Sequence, residues 1–140
     1  LIELLVVVAI IGILAAVGTV AYQGYIAGAN KTATKSNHAS AVKYVAAELA
    51  KCSIGETSVM DGNLTCSGRT TASTIQVAAT EALGDFKNSY DSSGDGVANS
   101  TAKVLGQVSI DDDGTTVDIV TCFEEGCGSG AVLENSISIE

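Results

Sequence analysis

The strongest constraint on this chain is an apolar run long enough to cross a bilayer. From Leu4 to Ala21, eighteen consecutive residues carry no charge, and Thr19 supplies their only hydroxyl. As a helix rising ~1.5 Å per residue, the run extends roughly 27 Å, about one hydrocarbon thickness. One carboxylate, Glu3, stands just before it. A charge in a lipid-like medium costs at least ~2.5 kcal/mol. Glu3 therefore either sits at headgroup level, where the positive end of the helix favours an acid, or has a partner waiting for it.

The order of residues around Glu3 separates these readings. The string LIELLVVVAIIGILAA, Leu1 to Ala16, resembles the mature N-terminus of the type IV pilins and of the related pseudopilins of type II secretion. The acid at Glu3 and the helix glycine at Gly12 match that pattern, and Ala21-Tyr22 with Tyr25 continues it. The likeness is specific over about the first thirty residues and beyond them extends to general architecture. It implies that Glu3 is buried in a filament core and answers the N-terminal amine of a neighbouring subunit. An unpaired buried charge penalises every packing except the one that pairs it, so Glu3 would set assembly register.

Two departures from the family pattern matter. Mature family members begin with a methylated Phe and a Thr before this Leu-Ile-Glu, so the resemblance implies that the chain starts late. Many members also carry a proline where this chain has Val20, and this sequence contains none. A proline would bend the helix; without it, Gly12 and Gly18, each costing about 1 kcal/mol relative to Ala, become the expected place of local melting on assembly.

The charges divide the chain in the same place as the hydropathy. Residues 1–51 hold four lysines against Glu3 and Glu48, a net of +2; residues 52–140 hold three basic and fourteen acidic residues, a net of -11. An acidic head is soluble and is a poor nucleic-acid surface, because phosphate binding runs on clustered Lys and Arg. Lysines of the stalk meeting acidic heads of neighbouring subunits would give filaments that loosen in high salt.

Past Ala21 the pattern turns amphipathic without a breaker. Tyr22, Ile26, Ala29 and Ala33, then Val42, Val45, Leu49 and Cys52, recur at helical spacing around a polar section from Asn30 to Ser40. We read an apolar transmembrane or filament-core helix over 1–26, its amphipathic continuation over 27–51 and a globular α+β head over 52–140. His38, the lone histidine, has no acid or thiol at ligand spacing and reads as a solvated helix residue.

Ser73-Thr74-Ile75-Gln76 reads as a capping box opening a short helix to about Lys87. Val104, Val108 and Ile110, then Val117, Ile119 and Phe123, then Leu133, Ile137 and Ile139 read as a small antiparallel meander packed on the second half of the long helix. A head of this size commonly recruits disulfides. Cys52, Cys66, Cys122 and Cys127 allow three connectivities, of which the local pairs Cys52 with Cys66 and Cys122 with Cys127 are the simplest. In the resembled family a disulfide-bounded loop is often exposed late in the head. Cys122 to Cys127 looks like a very short version of it, with Glu124 and Glu125 outside.

Asp91, Ser93, Asp95 and Gly96 imitate half a calcium loop, with Asn99 a further candidate ligand, but Ala102 occupies the place of the bidentate Glu. An Asx-rich turn is the default there, and no metal or other cofactor is expected. Asn30, Asn63 and Asn99 head glycosylation-type triplets of a kind that a Ser/Thr/Asn-rich chain produces by chance.

No nucleophile-base pair or phosphate loop points to an enzyme. The function expected is a structural pilin, polymerising with identical subunits through Glu3, Gly12, Gly18, Tyr22 and Tyr25 into an extracellular bacterial filament. By resemblance it is drawn from an inner-membrane pool by pilus assembly machinery and serves adhesion, motility, DNA uptake or surface sensing. A pseudopilin of type II secretion is the alternative; many of those carry a calcium site and lack disulfides.

Overall fold

The computed structural model describes residues 1–139. Its first element, α1, is one helix over Ile2–Ser53, 52 residues long, or roughly 78 Å at 1.5 Å per residue. It passes through Gly12 and Gly18 without interruption. At its end Gly55 turns left-handed at φ 105°, a conformation open to glycine. The Ile54 and Glu56 amides donate to the Lys51 carbonyl, and Arg69 Nη1 donates to the Leu49 carbonyl at 3.2 Å, so the last turn is capped from outside the helix.

The head is α+β. A ribbon of β1 (Ser58–Val59) and β2 (Leu64–Thr65) leads to α2 (Ala72–Ala82). A four-stranded sheet follows in the order β3 (Val97–Asn99), β4 (Val108–Asp112), β5 (Thr116–Cys122), β6 (Val132–Ser138). The strands β4, β5 and β6 form an antiparallel meander, whereas β3 runs parallel to β4, Val97 opposite Val108, which makes the sheet mixed. Val104 belongs to no strand and is exposed. Gly106 at φ 80° turns the chain between Val104 and Val108 and breaks the alternation that the spacing suggested.

Both helices lie on one face of the sheet. Register puts Val108 and Ile110 beside Thr121 and Ile119, and these in turn beside Leu133 and Asn135 of β6. Ala41, Val45 and Leu49 from α1 and Ile75 and Ala79 from α2 close the core over Val108, Ile110, Val117 and Ile119. The cap of α2 is Thr71, whose hydroxyl accepts from the Thr74 amide, rather than the predicted Ser73. The helix also stops before Lys87: Gly84 weakens it, and the Phe86 carbonyl is drawn out to accept from the Gly96 amide at 2.9 Å. In the β4–β5 hairpin, amide donation first from Thr116 and then from Thr115 holds the Asp113 carboxyl down at about 2.

The disulfides join Cys52 to Cys66 and Cys122 to Cys127. The first ties the end of α1 to the residue after β2; the second closes a loop just beyond β5.

Candidate assembly surface

The surface of α1 changes character along its length. From Leu1 to Ala29 every residue is exposed, and 16 of the 19 exposed large apolar side chains among the described residues lie between Leu1 and Ile26. Burial begins at Thr34 and continues through His38, Ala41, Val45, Glu48 and Leu49, which follow helical spacing as one stripe. Glu3 lies exposed on the first turn and pairs with no described residue. Gly12, Gly18, Tyr22 and Tyr25 are exposed on the same bare half, and a Cβ added at either glycine would meet only open space.

The covered stripe corrects the reading of His38. It is 4% exposed, with Nδ1 2.8 Å from Thr121 Oγ1 and Nε2 2.7 Å from Asn135 Oδ1. Asn135 Oδ1 only accepts, so Nε2 carries a proton and the Thr121 hydroxyl can donate to Nδ1. The polar middle section is therefore the part of α1 that meets the polar positions of the sheet. Buried Thr34 satisfies its own hydroxyl by donating to the Asn30 carbonyl at 2.8 Å.

At the boundary between the two halves, the Cys122–Cys127 loop rests on α1. Lys31 Nζ lies 3.0 Å from Glu124 Oε2, and the ammonium groups of Lys35 and Lys31 lie 4.3 and 5.5 Å from the centre of the Phe123 ring. Lys31 thus finds an acidic partner within its own head. Tyr90 steadies the loop by donating its hydroxyl to the Phe123 carbonyl at 2.7 Å, and Tyr90 is itself fixed by its backbone N–H, which donates to Asn88 Oδ1 at 2.9 Å. A Cβ on Gly106 would fall 1.9 Å from Asn88 Oδ1, so only glycine lets Asn88 hold this loop. Burial pushes the Tyr90 phenol up; the Lys31 ammonium pulls it back, and Glu124 and Glu125 add to the rise.

A second buried polar contact ties α1 to the head. Glu48 accepts from the Met60 amide at 2.7 Å and from Lys51 Nζ. Burial alone would raise its carboxyl, but the two donors outweigh burial and hold it below the usual carboxylate range. The acceptor matters because Met60 and Asp61 are both left-handed, at φ 55° and 56°, a conformation that costs non-glycine residues energy.

Asp91 spends Oδ1 on the Ser93 amide and hydroxyl, an Asx turn. Among the described residues no three carboxylate, His or Cys side chains converge on a point where a metal could sit. Asn63 uses its side-chain amide to donate to the Met60 carbonyl, Asn99 is exposed on β3, and Asn30 is half-buried on α1. Sequence reasoning missed the junction formed by Tyr90, Phe123 and Lys31, whose members are far apart in the chain; the unbalanced Lys31 and Lys35 beside a -11 head were the available signal. Comparison of the chain with family models, with curated proteins and with solved structures gives no match, so the surface is read from its own geometry.

Proposed function

We propose that this chain is a structural subunit of a type IV pilus, held in the inner membrane by the apolar half of α1 and then polymerised through that half into an extracellular filament. The observation that carries this reading is the bare half itself: an apolar cylinder over Leu1–Ile26, exposed all round, beside a head that is closed on its own core and disulfides. Lipid satisfies such a cylinder before assembly, and identical neighbours satisfy it afterwards. Open helical growth through unlike patches then follows, since each copy offers the same helix to successive neighbours. Glu3 supplies register by meeting a cation of a neighbouring copy, as the resemblance of Leu1 to Ala16 implies. Gly12 to Gly18 is where the helix loosens on assembly.

The test is cryo-electron microscopy of material sheared from the source cells, with the Glu3→Ala variant beside it. Long filaments with these helices in the core are expected from the native chain. The variant should insert in the membrane and fold but give few or no filaments. Normal filament yield from Glu3→Ala would remove the pairing role. A chain that stays in the inner membrane while secretion depends on it would identify a pseudopilin instead.

A further inference from the structure

The α1 helix contains four glycines, Gly12, Gly18, Gly24 and Gly28. The last two lie in a stretch that belongs neither to the apolar run nor to the head. The run ends at Ala21, every residue through Ala29 is exposed, and the head's hold begins with half-buried Asn30 and with Lys31 on Glu124 and Phe123. Nothing in the fold requires glycine there: neither residue has a positive φ, and a Cβ on either would meet nothing within 4 Å. What glycine does supply is a weaker helix, because its backbone gains most from release.

Depth along α1 separates these two glycines from the first two. Gly24 and Gly28 are three and seven residues past Ala21, about 4.5 and 10.5 Å at 1.5 Å per residue, and the polar layer of a bilayer reaches about 5–8 Å past the hydrocarbon. Headgroups and water can therefore satisfy a backbone hydrogen bond that opens at either residue. At Gly12 and Gly18 an opened bond would stay unsatisfied in hydrocarbon, a penalty that keeps a lipid-embedded helix closed. The Gly28 carbonyl is already shared: Thr32 Oγ1 donates to it at 3.0 Å, a contact that competes with the helix bond and bends helices. A shallow groove runs along α1 from Gly24 to Ser36. Its Thr32, Ala33 and Ser36 are exposed while Thr34 and His38 are buried on the sheet, so the groove lies on the side of α1 away from the head. Carbonyls facing water tilt outward and make a helix convex on that side.

We propose that, while the apolar half spans the bilayer, α1 hinges at Gly24 to Gly28 and bends toward the side that carries the head. From Lys31 onward helix and head move as one body, because the ion pair to Glu124, the Phe123 ring and the buried stripe of α1 fasten them together. The head then tilts over the membrane surface without opening the embedded part of the helix. This inference rests on the membrane-spanning reading of the apolar half and not on filament formation.

The experiment is pulsed dipolar spectroscopy of the full chain in nanodiscs of phosphatidylethanolamine with phosphatidylglycerol. Nitroxides replace the exposed side chains of Ala9 and Ser129, carried on ketone-bearing amino acids so that the four cysteines stay paired. The native chain should show a straight population and a second one at shorter distance. Gly24→Ala and Gly28→Ala should each reduce the bent population about fivefold, the factor by which a helix favours Ala over Gly. Gly12→Ala with Gly18→Ala should leave it unchanged. Labels at Ala39 and Ser129, both on the head side of the hinge, should give one narrow distance in every chain. The hinge would be overturned, with the spanning helix left in place, by any of three results: a single narrow distance from position 9 to 129 in the native chain, a bent population that survives both substitutions at Gly24 and Gly28, or a distribution from 39 to 129 as broad as that from 9 to 129. Access of an aqueous relaxation reagent to the label at position 9 would overturn both readings together.

Discussion

Residues 1–29 and 30–53 of α1 share one unbroken backbone and differ in what covers them. The first part is the more apolar of the two, yet Leu14 is 65% exposed; the second part is more polar, yet Thr34 and Val45 are fully buried. Burial here follows pattern rather than content. A helix apolar on every side prefers no direction and suits lipid or a ring of neighbours, whereas a single stripe suits one sheet. The acids of the two parts differ in the same sense, because Glu48 is answered inside the chain and Glu3 is not.

The largest effects should come from cutting equal side chains in the two parts. Leu49→Ala removes a buried side chain from the core beneath α1 and should lower head stability by about 2–5 kcal/mol. Leu14→Ala, in the bare part, should leave head unfolding within about 0.5 kcal/mol of the native chain. Urea unfolding of the full chain in detergent measures both. A comparable loss from Leu14→Ala would mean that the bare half supports the head after all, and the contrast between the halves would fail.

Next in size are the disulfides. The Cys52–Cys66 bridge closes fourteen residues and ties α1 to the head; the Cys122–Cys127 bridge closes five. Loop-closure entropy makes the first worth about 3 kcal/mol and the second about 2 kcal/mol. Replacing each pair with serine should therefore weaken the head in that order and leave the helicity of residues 1–29 unchanged by circular dichroism. Only the second replacement should also loosen Phe123 from Lys31 and Lys35, visible as faster exchange of the loop amides. Equal protease resistance of the head before and after reduction would show that neither bridge contributes.

The bare half was legible because its composition is uniform: no arrangement of partners changes what eighteen uncharged residues can do. The covered half was legible at Val45 and Leu49 but not at His38, whose burial depends on Thr121 and Asn135, 83 and 97 residues away. No local pattern reports that the sheet beneath a polar stretch of helix is itself polar there. The strand β3 escaped for a related reason. Three residues after a glycine carry no period, and their parallel pairing with β4 is decided by the fold around them. Of the candidate site, Glu3 and the two tyrosines could be read from their places on one helix. The junction at the Cys122–Cys127 loop could not, because it needs Tyr90, Phe123 and Lys31 together.

The smallest effect compares the two acids directly. Glu48→Ala leaves the Met60 amide without its acceptor in a left-handed turn and should cost about 1–3 kcal/mol. Glu48→Gln keeps an oxygen for that amide and loses only the charge facing Lys51, so it should cost less and act mainly through pH. The native carboxyl is held below its ordinary value of 4.5. A depressed carboxylate adds stability that is complete above the unfolded value and is lost as pH falls through the lower native one. Head stability of the native chain should therefore decline in acid below about 4.5. Glu48→Gln should decline less steeply, keeping the part owed to Asp113, which persists down to about 2. Glu3→Ala should follow the native profile, since Glu3 touches nothing in the head. Urea unfolding of the three chains in detergent across that range tests this. A Glu48→Gln profile parallel to the native one would mean that the charge on Glu48, and with it the Lys51 contact inside α1, contributes nothing to head stability, so that the side chain serves only as the oxygen acceptor of the Met60 amide.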